Sequence, residues 1–377
     1  MKKICYITTI VATMDFFTNQ MNYLSHNGYE VHAICSYGDD YKKYIGEDVK
    51  FIPVEIARGI SPFTLKKSIS ELKKVFKENE FDIIQYSTPN AAFVASIAAK
   101  MAGASIRNYH LMGLRYLGEK GMLRFILKFL EKVTCKFSTH IECVSRSNYD
   151  LAVKEKLFPK EKGTVVWNGS SGGVNLKRFD FNKRNEWRKE VRTELSLKED
   201  DLIFGFVGRI TRDKGINELF STFLSLSDKA KLLLIGANEG IDTLDAELFE
   251  KAKNNSNVIF CDFKSDIERY FAAIDVLVLP SYREGFGNVI IEAGAVGTPS
   301  IISDIPGPID AVLPGKTAKL VEVKNVEALK SSMEEFINNK DLAAEMSNNA
   351  YNYVLNNFDS DKLNEKILER KNLLLGK

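Results

Sequence analysis

Apolar positions along the chain fall into short runs separated by stretches that repeat every three to four residues. The first run, Ile4–Ile10, predicts a β-strand. A helical stretch around Phe16–Ser25 follows, Asn27-Gly28 ends it, and Tyr29–Cys35 reads as a second strand. Leu65–Lys77 predicts an amphipathic helix and Phe81–Tyr86 a short buried strand. Ser87-Thr88-Pro89 is expected to cap the helix Ala91–Met101, with the proline in a first turn that needs no N–H from it. The second half repeats the pattern, with strands expected at Leu202–Val207, Lys231–Ile235, Asn257–Cys261, Val276–Leu279, Ser300–Ile302 and Lys319–Val321. Strands alternating with helices imply α/β architecture: two Rossmann-like, doubly wound parallel-sheet domains facing across a cleft at the carboxyl ends of their strands. The highly charged segment Arg178–Asp201 is the expected boundary, giving domains 1–180 and 181–358. A closing helix, 359–377, is expected to cross back over the first domain.

Composition supports that plan. The chain has 377 residues, 45% hydrophobic and 27% charged, which is globular and too long for one ordinary core. No apolar stretch approaches the roughly 18 residues of a membrane span. Met1-Lys2-Lys3 begins as a signal peptide would, but the apolar run after it is short and lacks a small-residue cleavage site. Five cysteines, an odd number with no CxxC, are read as reduced, mostly buried thiols of a cytosolic protein, and a zinc site is not expected. The net charge of +2 hides an asymmetry of about +8 in residues 1–180 and about −6 in the remainder. Such asymmetry suggests a polyanionic surface, either nucleic acid or anionic membrane. No zinc-finger spacing or aromatic strand signature is present, so nucleic acid is not an expected partner.

Candidate chemistry concentrates in the second half. Phe206-Val207-Gly208-Arg209 ends a buried strand and Lys214 follows in the next turn, so two cations sit on a glycine-containing loop suited to a diphosphate. Standing alone, they would equally suit ordinary surface charge. The run Pro280-Ser281-Tyr282-Arg283-Glu284-Gly285-Phe286-Gly287-Asn288 again follows a strand and opens a helix. Its glycines let backbone N–H groups approach a ligand, and a helix N-terminus favours phosphate. Glu284 in the loop and Glu292 in the helix can reach different hydroxyls of one extended ligand.

Val207-Gly208-Arg209…Lys214, Leu279-Pro280-Ser281 and Glu284-Gly285-Phe286-Gly287…Glu292 together resemble retaining glycosyltransferase family 4, of GT-B fold, over about residues 200–325. The resemblance implies that Arg209 and Lys214 hold the donor diphosphate. It also places Glu292 on the ribose, Glu284 near hydroxyls of the transferred sugar, and the backbone of Gly285, Phe286, Gly287 and Asn288 toward the phosphates. Leu234-Ile235-Gly236 and Pro306-Gly307-Pro308-Ile309-Asp310 also match, with Asp310 where the family more often has Glu. It further implies a metal-independent transfer in which the leaving phosphate accepts the acceptor's proton. Glu284 is then a positioning residue, not a nucleophile as in retaining glycosidases. No cofactor is implied beyond the nucleotide-sugar donor, expected to be UDP-linked to an N-acetylated hexose or deoxyhexose. The single D-x-D, Asp359-Ser360-Asp361, reads as a helix cap and first-turn acid.

The first domain matches less closely. Thr8-Thr9-Ile10-Val11-Ala12-Thr13 replaces the family's glycine-rich loop, and Asn168-Gly169 with Val174-Asn175…Phe179 resemble a later segment. Asn108-Tyr109-His110 ends a strand, and the resemblance places His110 near the transferred sugar; a structural hydrogen-bonding histidine is the other reading. Arg58-Gly59-Ile60-Ser61-Pro62, Ser87-Thr88-Pro89 and Met112-Gly113-Leu114-Arg115 resemble the branch that extends polyprenyl-diphosphate-linked sugars in bacterial surface-glycan assembly. On a helical wheel for Lys120–Phe137, Leu123, Ile126, Leu127, Leu130, Val133 and Phe137 share one arc expected to be core. Lys120, Arg124, Lys128, Lys132 and Lys136 spiral along the other side with Phe125 and Phe129 among them. That mixture suits docking to an anionic membrane, on the inner face of the cytoplasmic membrane, and it also suits a solvated helix against a neighbouring loop. Two further readings are a nucleotide-sugar epimerase of the same fold and a non-catalytic nucleotide-sugar-binding subunit. A dehydrogenase is disfavoured because no G-x-G-x-x-G follows the first strand.

Overall fold

The computed structural model describes every residue except Ala57, Arg58, Ile60, Asn238, Glu239, Lys340 and Lys377. Arg58 and Ile60 of the Arg58–Pro62 motif thus lie outside the described residues. The chain divides into two compact units, Met1–Gly172 with Ser360–Lys377, and Gly173–Asp359.

The first unit is built on seven strands: β1 (Lys2–Ile10), β2 (Tyr29–Ser36), β3 (Lys50–Pro53), β4 (Ile83–Tyr86), β5 (Ile106–Leu111), β6 (His140–Cys143) and β7 (Gly163–Thr164). They pair in parallel in the order β3-β2-β1-β4-β5-β6-β7. Such a sheet is covered on both faces, which is why Ile4, Cys5, Tyr6 and Ile7 form an unbroken buried run rather than an alternation. Its helices are α1 (Thr18–His26), α2 (Tyr41–Tyr44), α3 (Pro62–Asn79), α4 (Pro89–Ala102), α5 (Gly121–Phe137) and α6 (Arg146–Lys154). The segment expected to be helical from Phe16 starts earlier as a tight 3-10 turn, Val11–Phe17, and becomes α-helical at Thr18. α4 is alanine-rich and buried nearly all round, as a helix sandwiched between sheet and neighbours must be.

In the second unit β8 (Ile203–Val207), β9 (Lys231–Ile235), β10 (Val258–Cys261), β11 (Val276–Leu279), β12 (Ser300–Ser303) and β13 (Ala318–Val321) pair in the order β10-β9-β8-β11-β12-β13. Its helices are α7 (Arg184–Glu194), α8 (Ile216–Leu224), α9 (Ala246–Lys253), α10 (Ile267–Ala273), α11 (Asn288–Ala295), α12 (Val326–Asn338) and α13 (Leu342–Asn357). The charged segment Arg178–Asp201, expected to be the boundary, carries α7, and the two units divide at Gly172/Gly173. Arg188 and Arg192 of α7 each bond one oxygen of Asp275, at 2.6 and 2.8 Å. Arg192 is buried and donates as well to the carbonyls of Ala273, Lys198, Glu199 and Asp201. Arg188 and Arg192 thus belong to an internal network, while other charged side chains of the segment, Glu186, Lys189 and Glu190 among them, are exposed. Val174 pairs with Asp359, which closes the second unit on itself.

The final helix, α14 (Ser360–Leu374), belongs to the first unit, with Asp361 in its first turn. Lys371 of α14 is buried, donating to Glu142 Oε2 and Gln85 Oε1, both at 2.7 Å. All five cysteines are free thiols and four are buried.

Candidate functional site

Strand order reverses between β8 and β11 in the second unit, the switch point outside which doubly wound sheets bind ligands. Both loops carrying the candidate residues leave from these two strands. After β8 the chain passes through Gly208 and Arg209, which is exposed, then makes a short turn, Arg212–Lys214, ended by Gly215 at φ 75°. A Cβ on Gly215 would stand 2.1 Å from the Pro280 carbonyl oxygen, so glycine there lets the two loops touch. Tyr282 N–H donates to the Asp213 carbonyl, joining them further.

Lys214 Nζ lies 2.6 Å from Glu284 Oε1, and the fully buried Ser281 hydroxyl donates to the same oxygen at 2.9 Å. Asp213 sits behind. Burial opposes its charge, but the Thr211 hydroxyl and the cations of Arg283, Lys214 and Arg209 hold its carboxyl below the usual range. Arg209 and Lys214 therefore form one electropositive cluster, braced by Asp213 and Glu284. Tyr282 is fixed by a 2.7 Å bond to Glu218 and by Lys324 over its ring.

The loop Glu284–Gly287 leads into α11, whose cap is Gly287 at φ 91°. The Phe286 side chain is buried against Phe358, ring centroids 5.3 Å apart, so only its backbone can meet a ligand. Gly285, Gly287, Asn288 and Glu292 are half-buried, the last one turn into α11. Gly307, at φ 103°, brings the Pro306–Asp310 segment onto this loop; a Cβ there would meet the Glu284 and Gly285 carbonyls at 2.9 and 2.8 Å.

The first unit has its own switch point, between β1 and β4. The Thr88 side chain does not cap α4 as expected. At φ 64° it turns away, accepting from Thr9 N–H at 3.2 Å and pairing with the Thr9 hydroxyl at 2.8 Å. Hydroxyl contacts thus join loops where the family has glycines. His110, at the end of β5, is 7% exposed, stacked edge-on to Phe17, with neither ring nitrogen bonded. Burial lowers its pKa to about 4, against the pull of Glu142, so the imidazole is neutral at physiological pH.

On α5 the expected division is only partly realised. The buried positions are Glu131, Thr134 and Cys135, while Leu123, assigned to the core arc, is 45% exposed. Lys128 Nζ sits 2.8 Å from Glu155, and Arg124 donates to the Tyr116 carbonyl and covers its ring. These two cations are held by the fold because Glu155 and Tyr116 lie under them. Lys120, Lys132 and Lys136 are exposed, as are Phe125 and Phe129. Among the described residues no helix is long and apolar enough to cross a membrane.

Missed at the level of sequence were Glu142, Glu131 and Lys371. Lys371 had a signal: it continues the buried stripe Leu363, Ile367 at four-residue spacing.

Residues 188–353 match the family Glycosyl transferases group 1, and residues 3–145 match Glycosyl transferase 4-like. The capsular polysaccharide biosynthesis glycosyltransferase CapM of Staphylococcus aureus is 31% identical over 377 residues, 99% of this chain and 98% of that protein. The chain is a family 4 glycosyltransferase. It is also 26% identical to the UDP-Gal:alpha-D-GlcNAc-diphosphoundecaprenol alpha-1,3-galactosyltransferase of Escherichia coli, over 91% of this chain and 89% of that protein. Sucrose-phosphate synthase from Thermosynechococcus elongatus shares the GT-B fold with a TM-score of 0.85 at 19% identity, each chain fully covered. The candidate residues of the second unit, from Gly208 to Glu292, all fall within the group 1 match.

Proposed function

We propose that this glycosyltransferase moves a sugar, with retention of configuration and without a metal, from a UDP-sugar to a lipid-diphosphate-linked sugar in capsule or O-antigen assembly. The observation that carries the reading is the cluster of Arg209, Lys214 and Glu284 at the β8/β11 switch point, beside the amino end of α11. Breaking the anomeric bond leaves negative charge on the diphosphate and positive charge on the sugar ring. Arg209, Lys214 and the amino end of α11 are preorganised to stabilise the former, which is the work a divalent ion does elsewhere. Glu292 is assigned to the ribose, Glu284 to hydroxyls of the transferred sugar, and the leaving phosphate to the acceptor's proton. His110, neutral and with bonding capacity unspent in a buried site, is assigned to a sugar hydroxyl. An N-acetylated hexose or deoxyhexose is the expected cargo.

The acceptor assignment is supported by the Escherichia coli relative, whose name gives a diphosphoundecaprenol-linked sugar. A lipid-linked acceptor stays at the bilayer surface, and the exposed Phe125, Phe129, Lys132 and Lys136 of α5 suit the inner face of the cytoplasmic membrane. The test is a panel of UDP-sugars with EDTA present, with and without a bacterial lipid-linked-sugar extract. UDP should appear only with the extract, and product NMR should show the donor's anomeric configuration. A strict Mg²⁺ or Mn²⁺ requirement, an inverted product, or UDP release without acceptor would each overturn the corresponding part.

A further inference from the structure

Between α3, α4 and α5 runs an apolar groove of about 190 Å³, lined by Leu65, Phe93, Leu123, Leu127 and Leu130, with Arg115 beside them. Leu65, Phe93 and Leu127 pack partly against the core of the first unit and, among the described residues, keep a face on this groove. Pro89, the first residue of α4, also lines it, so the positive end of that 14-residue helix faces the same space. Its rim is apolar. Leu123 is 45% exposed and its neighbours Met122 and Phe125 are 73% and 69% exposed, while Phe63, two residues before Leu65, is 87% exposed. Large apolar side chains this exposed, on the helices that line the groove, suit a lipid or partner contact.

We propose that this groove holds the first isoprene units of the acceptor's lipid chain, with Arg115 and the amino end of α4 meeting its diphosphate. The proposal rests on the lipid-linked-acceptor reading above and names where that lipid sits. Size favours a single short segment: an apolar cavity of about 150 Å³ accommodates benzene, so this groove takes one or two five-carbon units and not a whole chain. The remainder of the chain leaves past Met122 and Phe125, which are already suited to a bilayer. A cation in the lining of an otherwise apolar slot matches a molecule whose diphosphate joins directly to a branched hydrocarbon. A phospholipid would need room for two chains, and a protein helix would need a broader trough. The buried, polar Glu131 and Thr134 line the same groove and keep it from being a uniformly greasy slot.

The probe is farnesyl diphosphate, titrated calorimetrically into the full chain with UDP in excess to occupy the diphosphate site of the second unit. Inorganic diphosphate is the comparison. Farnesyl diphosphate should bind at least thirtyfold more tightly than inorganic diphosphate. Leu123→Glu, at a position exposed enough to tolerate charge, should weaken farnesyl diphosphate at least tenfold and leave inorganic diphosphate unchanged. Arg115→Ala should weaken both. Leu65→Gln, on the opposite wall, should repeat the Leu123→Glu result. Equal affinity for the two probes, or wild-type farnesyl diphosphate binding by both groove variants, would overturn the assignment. Transfer to the lipid extract, run in parallel, separates this from the broader reading. If wild-type protein transfers sugar to the extract and the groove variants do so with unchanged KM, the groove fails alone. If wild-type protein uses only soluble acceptors, the lipid-linked reading fails regardless of the titration.

Discussion

Lys214 Nζ and Glu284 Oε1 are 2.6 Å apart, and both side chains are largely shielded from water, 19% and 14% exposed. The cation proposed for the diphosphate and the carboxylate proposed for the sugar therefore constrain each other before any donor arrives. Lys214→Ala should lower turnover roughly 10²–10³-fold, as loss of a preorganised charge does. Glu284→Ala should also lower turnover, yet leave UDP affinity unchanged or raised, because it frees Lys214. The double variant should lose less than the sum of the two single losses, since each side chain positions the other. Additive losses in kcat would show that the pair is incidental.

Glu292 has a different expected signature. A ribose contact exists before and after transfer, so Glu292→Ala should weaken donor and free UDP alike, raising KM with a smaller change in kcat. Titration of UDP into the variant checks this. Undiminished UDP affinity would remove Glu292 from the ribose.

The course of the loops after β8 and β11 was legible in the chain because glycine, proline and charge at fixed offsets after a buried strand admit few conformations. Gly215 and Gly307 show why: each permits an approach that any Cβ would block. What stayed hidden depended on partners distant in sequence. Nothing near Arg188 and Arg192 announces Asp275, 87 and 83 residues on, so a charged helix was read as a domain boundary. Glu155 lies 27 residues from Lys128, far enough that the helical wheel could not reveal which cations of α5 the fold would claim. Phe286 was read as part of a ligand loop through its backbone, and nothing in the sequence announced that its ring is committed to Phe358.

Glu131 should tie stability to pH. Burial raises its pKa from 4.5 to about 7, with Tyr109 pulling the other way. The folded protein thus binds a proton that the unfolded chain releases above about 4.5. Stability from this group is fully present below that value and is lost as pH rises through about 7, on the order of 3 kcal/mol in all. Glu131→Gln should flatten the loss. Urea denaturation midpoints between pH 5 and 8 measure it, and parallel curves for both proteins would rule the assignment out.

Glu142 has the opposite sign. Burial opposes its charge, but Lys371, aided by His110 and the Asn108 side chain, outweighs that and holds its pKa at about 2. Its contribution is present above about 4.5 and declines as pH falls toward 2. Lys371→Met removes the closer of the two cations on this buried carboxylate, leaving Arg370 Nε at 3.5 Å from its other oxygen, and should cost up to about 3 kcal/mol at neutral pH. Adding Glu142→Gln should recover most of it. If the single variant unfolds at the wild-type urea concentration, α14 is held by its apolar residues alone.

Membrane docking is tested most sharply on one stripe of α5. At 100° per residue Met122, Phe125, Phe129, Lys132 and Lys136 fall within an arc of about 80°. Four of the five are large apolar or cationic groups on the exposed surface beyond Leu123, and the fifth, Met122, is 73% exposed. Lys128 and Arg124 lie outside that arc, engaged by Glu155 and Tyr116, so replacing them would perturb the fold as well as the surface. Lys132→Glu with Lys136→Glu removes two cations worth about 1 kcal/mol each at an anionic surface, so partitioning should fall at least about 30-fold. Phe125→Ser with Phe129→Ser should act comparably by deleting the apolar anchors. Wild-type binding to phosphatidylglycerol vesicles should rise with anionic content and weaken as salt screens the attraction, whereas the lysine variant should show little dependence on either. Thermal stability and UDP binding should stay at wild-type values in both variants, with activity lost on membrane-embedded acceptor and kept on a short-chain soluble one. Vesicle binding by the two double variants that equals wild type at low salt would reassign this stripe to an ordinary solvated helix face.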